Sequence, residues 1–241
     1  MAPFYVIPDE RLSKLEIDNF IKAAKDEQKQ LEILNDIIEH RSNKNPRFNV
    51  EHDQTLLHVL ASNGFLQGFE MISKWTDNIN PQNEKGETPL MFAAWRGHMN
   101  VVQFIVDHVP KEEIIAVCRK GLSPIFSAAY RGHQEVFQFL VDKLNDTKLV
   151  NRKVHEDLTA IKIAILEGNE SLFNAYEPYE TDWIQKESTE DDDLTLLHVA
   201  VQKQNYNFTK RIVTNLAKHE SLDKIFEGRE GFTPLHLAGT F

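Results

Sequence analysis

Residues 86–98 read "GETPLMFAAWRGH", and residues 121–133 read "GLSPIFSAAYRGH". The two copies share a leading glycine, a proline, paired alanines and a closing Arg-Gly-His, and they differ in the positions between. Shared residues of this kind build a unit, and variable ones are free to act. Pro89 suits the first turn of a helix, where its missing N–H breaks no hydrogen bond, and Thr88 before it is a good N-cap. Leu90, Ala93 and Ala94 follow at helical spacing, the alanines small enough to let a neighbouring helix approach, and Gly97 ends the helix. In the next stretch, "MNVVQFIVDH", Val101, Val102, Ile105 and Val106 share one face while Asn100, Gln103 and Asp107 lie outside it. Two helices this short cannot bury their apolar faces alone. Each pair must stack on the next.

Four further copies fall in phase: "DQTLLHVLASNGF" from Asp53, "DLTAIKIAILEGN" from Asp157, "DLTLLHVAVQKQN" from Asp193 and "GFTPLHLAG" from Gly231. Their anchoring hydroxyl residues, Thr55, Thr88, Ser123, Thr159, Thr195 and Thr233, are separated by 33, 35, 36, 36 and 38 residues. At these residues the chain resembles the ankyrin-repeat family, whose signature is Thr-Pro-Leu-His-x-Ala in a unit of about 33 residues. "TPLHLA" at 233–238 is the full signature; Thr55 and Thr195 are followed by Leu instead of Pro, and 159–162 keep only the outline. The resemblance implies an all-α solenoid of stacked helix-turn-helix units with short β-hairpin-like turns. It divides the chain into an N-terminal helical cap or degenerate repeat at 1–47 and an array of about six units at 48–241, the last incomplete.

In the N-terminal segment, Ile17, Phe20, Ile21 and Ala24, then Leu31, Leu34, Ile37 and Ile38, predict two helices around the polar stretch "KDEQKQ". The stretch from His108, "HVPKEE", reads as a proline-broken turn, and 176–193 as a long loop with an acidic end. The last repeat stops within its first helix, so it is expected to be the weakest part of the array, and the chain reads either as a fragment of a longer repeat protein or as a form with an unusual end.

Composition narrows the function classes. With 41% hydrophobic and 27% charged residues the chain reads as globular, and a net charge of -10 opposes non-specific nucleic-acid binding. No apolar run reaches the roughly 18 residues of a membrane span, and the first residues lack a secretory signal pattern, so a cytoplasmic or nuclear monomer is expected. One cysteine, Cys118, excludes an internal disulfide and reads as structural. His58, His198 and His236 hold one position of successive copies, so they lie a repeat apart and do not converge on a metal; the resemblance gives them a hydrogen bond to the turn. His98 and His133, at the start of the second helix, read as structural too. The aspartates 191–193 read as a solvated run, and the sequons at Asn169 and Asn207 fall in helical patterns. No cofactor, metal or catalytic constellation is expected.

What remains is the variable part. By the family's geometry, the turn tips and the end of the first helix face a concave groove. They carry Glu84, Lys85, Glu87, Trp95 and Arg96 in one repeat, and Arg119, Lys120, Leu122, Tyr130 and Arg131 in the next. The later repeats place Leu166, Glu167, Gln202, Lys203, His155, Glu156, Asp191 and Asp192 there, so the groove should run from aromatic and basic to neutral or acidic. Since Leu90, Ala93 and Ala94 fill the core positions, Trp95 and Tyr130 are expected at the interface. The resemblance also marks Asn80 and Asn151, each eight residues before the repeat threonine, as positions that asparaginyl hydroxylases modify. The expected function is a non-catalytic scaffold binding a protein partner on its groove; the alternative is the targeting region of a larger effector, enzyme or channel.

Overall fold

The computed structural model describes residues 27–40, 54–145, 159–180, 187–189 and 192–218, in two compact units, Met1–Leu144 and Asn145–Phe241. The first contains α1 (Glu27–His40), α2 (Leu56–Asn63), α3 (Leu66–Ser73), α4 (Pro89–Arg96), α5 (Met99–His108), α6 (Lys111–Ile114), α7 (Pro124–Tyr130) and α8 (Gln134–Leu144). The second contains α9 (Ala160–Glu167), α10 (Glu170–Tyr176), a 3-10 turn (Glu177–Tyr179), β1 (Glu187–Thr189), β2 (Asp192–Leu194), α11 (Leu196–Gln202) and α12 (Tyr206–Lys218). Apart from that hairpin, the regular structure of the described residues is helical.

In the first compact unit α2 packs on α3, α4 on α5 and α7 on α8, and α4 lies against both α2 and α7. The pairing follows from the apolar spacing: Leu90, Ala93 and Ala94 of α4, and Val101, Val102 and Ile105 of α5, are fully buried, while Asn100, Gln103 and Asp107 are exposed. Burying each such Val, Leu or Ile side chain stabilises the stack by about 1.5–3 kcal/mol. Thr88 caps α4 by accepting from Met91 N at 3.3 Å, and Ser123 caps α7 by accepting from Phe126 N at 3.2 Å. α1 packs on α3 and buries Leu34. Glu27–Gln30, part of the stretch read as a polar break, already belong to α1. The expected earlier helix, Asn151 and the whole incomplete last repeat lie outside the described residues.

The recurring Gly-His pair has a specific geometry. Gly97 takes φ +78, and a Cβ there would sit 2.4 Å from Nδ1 of His133 in the following repeat. Gly64, at φ +71, stands in the same relation to His98, with a distance of 2.5 Å. Each histidine then reaches back to a helix end of the preceding repeat, His98 Nε2–H donating to Ser62 O at 3.0 Å and His133 Nε2–H to Trp95 O at 3.1 Å. Helix ends leave such carbonyls without intrahelical partners, so the two histidines fasten one repeat to the next. His58 makes another such tie: Nδ1 accepts from Thr55 N at 3.1 Å, which assigns the proton to Nε2 for donation to Glu87 O at 3.0 Å.

Burial holds the His98 imidazole below its usual value of 6.5; the bond to Ser62 opposes this, and the charges of Arg96 and His133 add to it. The folded chain therefore takes up this proton less readily than the unfolded chain. The stability His98 contributes is complete above pH 6.5 and declines as the pH falls below it. Denaturation of His98→Asn between about pH 7 and pH 5 should show a shallower loss of stability than the native chain; an unchanged slope contradicts the assignment.

The second compact unit caps its second helices differently. Asn169 Oδ1 accepts from Leu172 N at 2.9 Å and Asn205 Oδ1 from Phe208 N at 3.1 Å, so each asparagine satisfies its own helix. α9 packs on α10 and α11, α11 on α12, and Phe173 stacks on Phe208 with centroids 4.5 Å apart. At the position of the helix-ending glycine the last described repeat has Gln204, at φ +55. A non-glycine there is strained by about 1–2 kcal/mol, offset in part by glycine's greater entropy loss on folding. Gln204→Gly should therefore raise stability by about 0.5–1 kcal/mol in denaturant unfolding, and a destabilised variant would refute the strain.

Three local expectations are corrected. Pro110 caps the short helix α6, because its fixed φ of -68° suits entry into a helical turn. Residues 176–193 are not all loop: they include the 3-10 turn and the antiparallel hairpin pairing Glu187 with Leu194, Ser188 with Asp193 and Thr189 with Asp192. Asn169 precedes its helix as the N-cap, whereas Asn207 lies within α12.

Candidate protein-binding groove

Two hairpin-like tips carry the variable charges of the first compact unit. In the tip at 83–87, Asn83 N donates to Glu87 O at 2.9 Å, Gly86 N to Asn83 O at 2.9 Å, and Asn83 Oδ1 accepts from Lys85 N and Glu87 N at 2.9 Å each. The tip at 118–122 repeats the form, Cys118 N donating to Leu122 O at 3.0 Å and Gly121 N to Cys118 O at 2.8 Å. Arg119 N donates to Lys85 O at 2.8 Å, so the tips are bonded side by side. Cys118 stands where the earlier tip has Asn83; it is free, buried and part of the turn. Glu84, Arg119 and Lys120 are exposed, Lys85 and Leu122 half-buried, and Glu87 holds Asn83 Nδ2 at 2.9 Å.

The first helices supply the aromatics. Trp95 and Tyr130 stand at equal distances from their caps, Thr88 and Ser123. Buried Ala93, Ala94, Ala128 and Ala129 offer little bulk between α4 and α7, and the two rings stack with centroids 5.6 Å apart and planes 14° from parallel. That is a favourable offset separation. Arg131 lies with its guanidinium carbon 5.0 Å from the Trp95 ring, and Phe126 lies 5.7 Å from Tyr130. Both Trp95 and Tyr130 are half-buried, while Arg96 and Arg131 are exposed. Lys85, Arg96, Arg119, Lys120 and Arg131 have no carboxylate partner among the described residues.

The remaining positions are more dispersed. Leu166, Glu167, Gln202 and Lys203 are exposed in the second compact unit, and Asp192 opens β2. His155, Glu156 and Asp191 lie outside the described residues. Asn80 is buried, its Oδ1 accepting from Leu90 N at 3.0 Å and its Nδ2 without a hydrogen-bond partner among the described residues. The repeat-to-repeat bonds of His98 and His133 were not evident from the sequence; Gly followed by His at a fixed distance from each cap was their signal.

Helix pairs stacked through their first helices and joined by paired hairpin tips define a repeat protein of the ankyrin type. Residues 20–118 and 68–154 match the family model for ankyrin repeats, in 3 copies, and the chain belongs to that family. No curated protein matches this chain. Ankyrin repeats are generally protein–protein interaction modules and typically non-catalytic. Among the described residues no group of His, Cys, Asp or Glu is arranged to hold a metal ion, and no helix is long and apolar enough to cross a membrane.

Proposed function

We propose that this chain is a non-catalytic interaction scaffold that binds a protein partner on the concave groove formed by the tips and first helices of its repeats. The observation that carries the reading is the Trp95–Tyr130 stack with Arg131 over Trp95, together with cations at the tips and helix ends that lack carboxylate partners among the described residues, in a chain of net charge -10. Aromatic and arginine side chains dominate binding energy because they bury large area at little entropic cost and still offer donors. The partner presents an acidic or carbonyl-rich surface with an apolar anchor that packs beside the rings. Local cations outweigh net charge because distant carboxylates are screened beyond about 8 Å at physiological salt. The buried free Cys118 suits a reducing compartment, so the scaffold acts in the cytoplasm or nucleus as a monomer. Pull-down with mass spectrometry, comparing the native chain with Trp95→Ala/Tyr130→Ala, tests the proposal: partners retained equally by a folded double variant would refute it.

The same repeats are candidate substrates for an asparaginyl hydroxylase at Asn80 and Asn151. Because Asn80 is buried and bonded to Leu90 N, modification requires local opening of its loop. Incubation with such an enzyme, dioxygen as oxidant and a reducing co-substrate should add one oxygen atom to the peptide containing Asn80, and faster under mildly destabilising conditions. A peptide left unmodified under both conditions excludes the site.

A further inference from the structure

Away from the tips and first helices, the second helices α3 and α5 border a pocket of about 680 Å³. Its walls include Glu70, Asp77, Phe104, His108 and Glu113, with Lys74 the lysine among them. His108 Nδ1–H donates to Phe104 O at 2.7 Å, which holds the two rings stacked with centroids 4.3 Å apart. Glu113 Oε2 is shut off from solvent and has no hydrogen-bond partner among the described residues. A carboxylate oxygen removed from water is stable only with a donor, and rotation of the half-buried Glu113 side chain toward the pocket lets a ligand supply it. The C-terminal ends of α3 and α5 also lie at the pocket, and helix C-termini attract positive charge.

We infer that this pocket receives an arginine side chain from a partner protein, at a site separate from the groove. Charge complementarity selects a cation: three carboxylates and two helix C-termini face one exposed lysine. The aromatic wall selects guanidinium over ammonium, because a planar fork lies flat on a ring while its edge donates to carboxylates, and an ammonium is a compact, strongly hydrated charge. The volume admits a whole arginine side chain. A partner that covers both faces of the repeats then binds with its acidic surface on the tips and its arginine here.

The test is an NMR titration of the isotopically labelled full chain with the acetylated, amidated tripeptide Ala-Arg-Ala, and with the same peptide carrying citrulline or lysine. The arginine peptide should shift the amides of Glu70, Asp77, Phe104 and Glu113, binding about tenfold more tightly than its neutral citrulline isostere and more tightly than lysine. Glu113→Gln should remove about tenfold of the arginine affinity. The exposed Asp77→Asn, which leaves the fold undisturbed, should weaken it about twofold. Equal shifts with citrulline, shifts confined to Trp95 and Tyr130, or affinity unchanged in both variants would each overturn the inference. So would a pocket silent to millimolar peptide, as expected if another segment of this chain fills it. A self-association seen by sedimentation and abolished by Glu113→Gln would assign the pocket to a second copy, and would overturn it as well.

Discussion

Gly97→Ala is expected to destabilise the first compact unit by roughly 2–4 kcal/mol, because it adds overpacking to left-handed backbone strain. The backbone sits at φ +78, where an alanine is strained by about 1–2 kcal/mol. The new methyl would meet the His133 ring at 2.4 Å, so the ring must move and its bond to Trp95 O is lost. Gly168 supplies the internal control: its φ is +68, yet a Cβ there has nothing within 4 Å. Gly168→Ala should therefore show the backbone strain alone, about 1–2 kcal/mol. Denaturant unfolding of the two variants, read against hydrogen exchange in each compact unit, separates the terms. Equal losses would mean that the Gly-His contact contributes nothing.

The second large effect falls on binding. Trp95→Ala and Tyr130→Ala should each weaken partner affinity by about 2 kcal/mol or more, near thirtyfold, as expected for buried aromatic anchors. Both rings are preorganised by their mutual stack and by Arg131 over Trp95, so their ordering is already present in the free chain. Glu84, exposed at the rim of its tip, should tolerate alanine with little change. Added salt should weaken binding because the flanking cations are exposed. The stack itself contributes about 0.5–1.5 kcal/mol to folding beyond its buried area, so unfolding curves must accompany the affinities. Affinity lost only in proportion to unfolded protein would place these rings in the architecture.

What the sequence made legible was the local chemistry that repeats. Thr88, Pro89, Ala93, Ala94 and Gly97 each have a role set by backbone geometry or by helix approach, and that role can be read from one copy and checked in the next. The valines of α5 were legible because burial leaves a periodic trace. Bonds between repeats left a weaker trace, since Gly97 and His133 are 36 positions apart and meet only through stacking. Asn169 and Asn205 occupy the histidine position with a different bond pattern, which composition alone does not distinguish. The hairpin β1–β2 was hidden in an acidic stretch of low strand propensity, where cross-strand pairing overrides local preference. At the candidate groove the residue identities were legible, but the Trp95–Tyr130 stack depends on the close approach of α4 and α7. The pocket near Glu113 was invisible because its walls come from separate helices and a loop.

The most direct test of the groove is the affinity of one purified, captured partner for the native chain and for Trp95→Ala, measured calorimetrically at two salt concentrations with thermal unfolding of both proteins alongside. A folded Trp95→Ala is expected to bind about thirtyfold more weakly, and the native chain to bind more weakly at higher salt. Native-like affinity for the folded variant, unaffected by salt, would contradict the proposed groove.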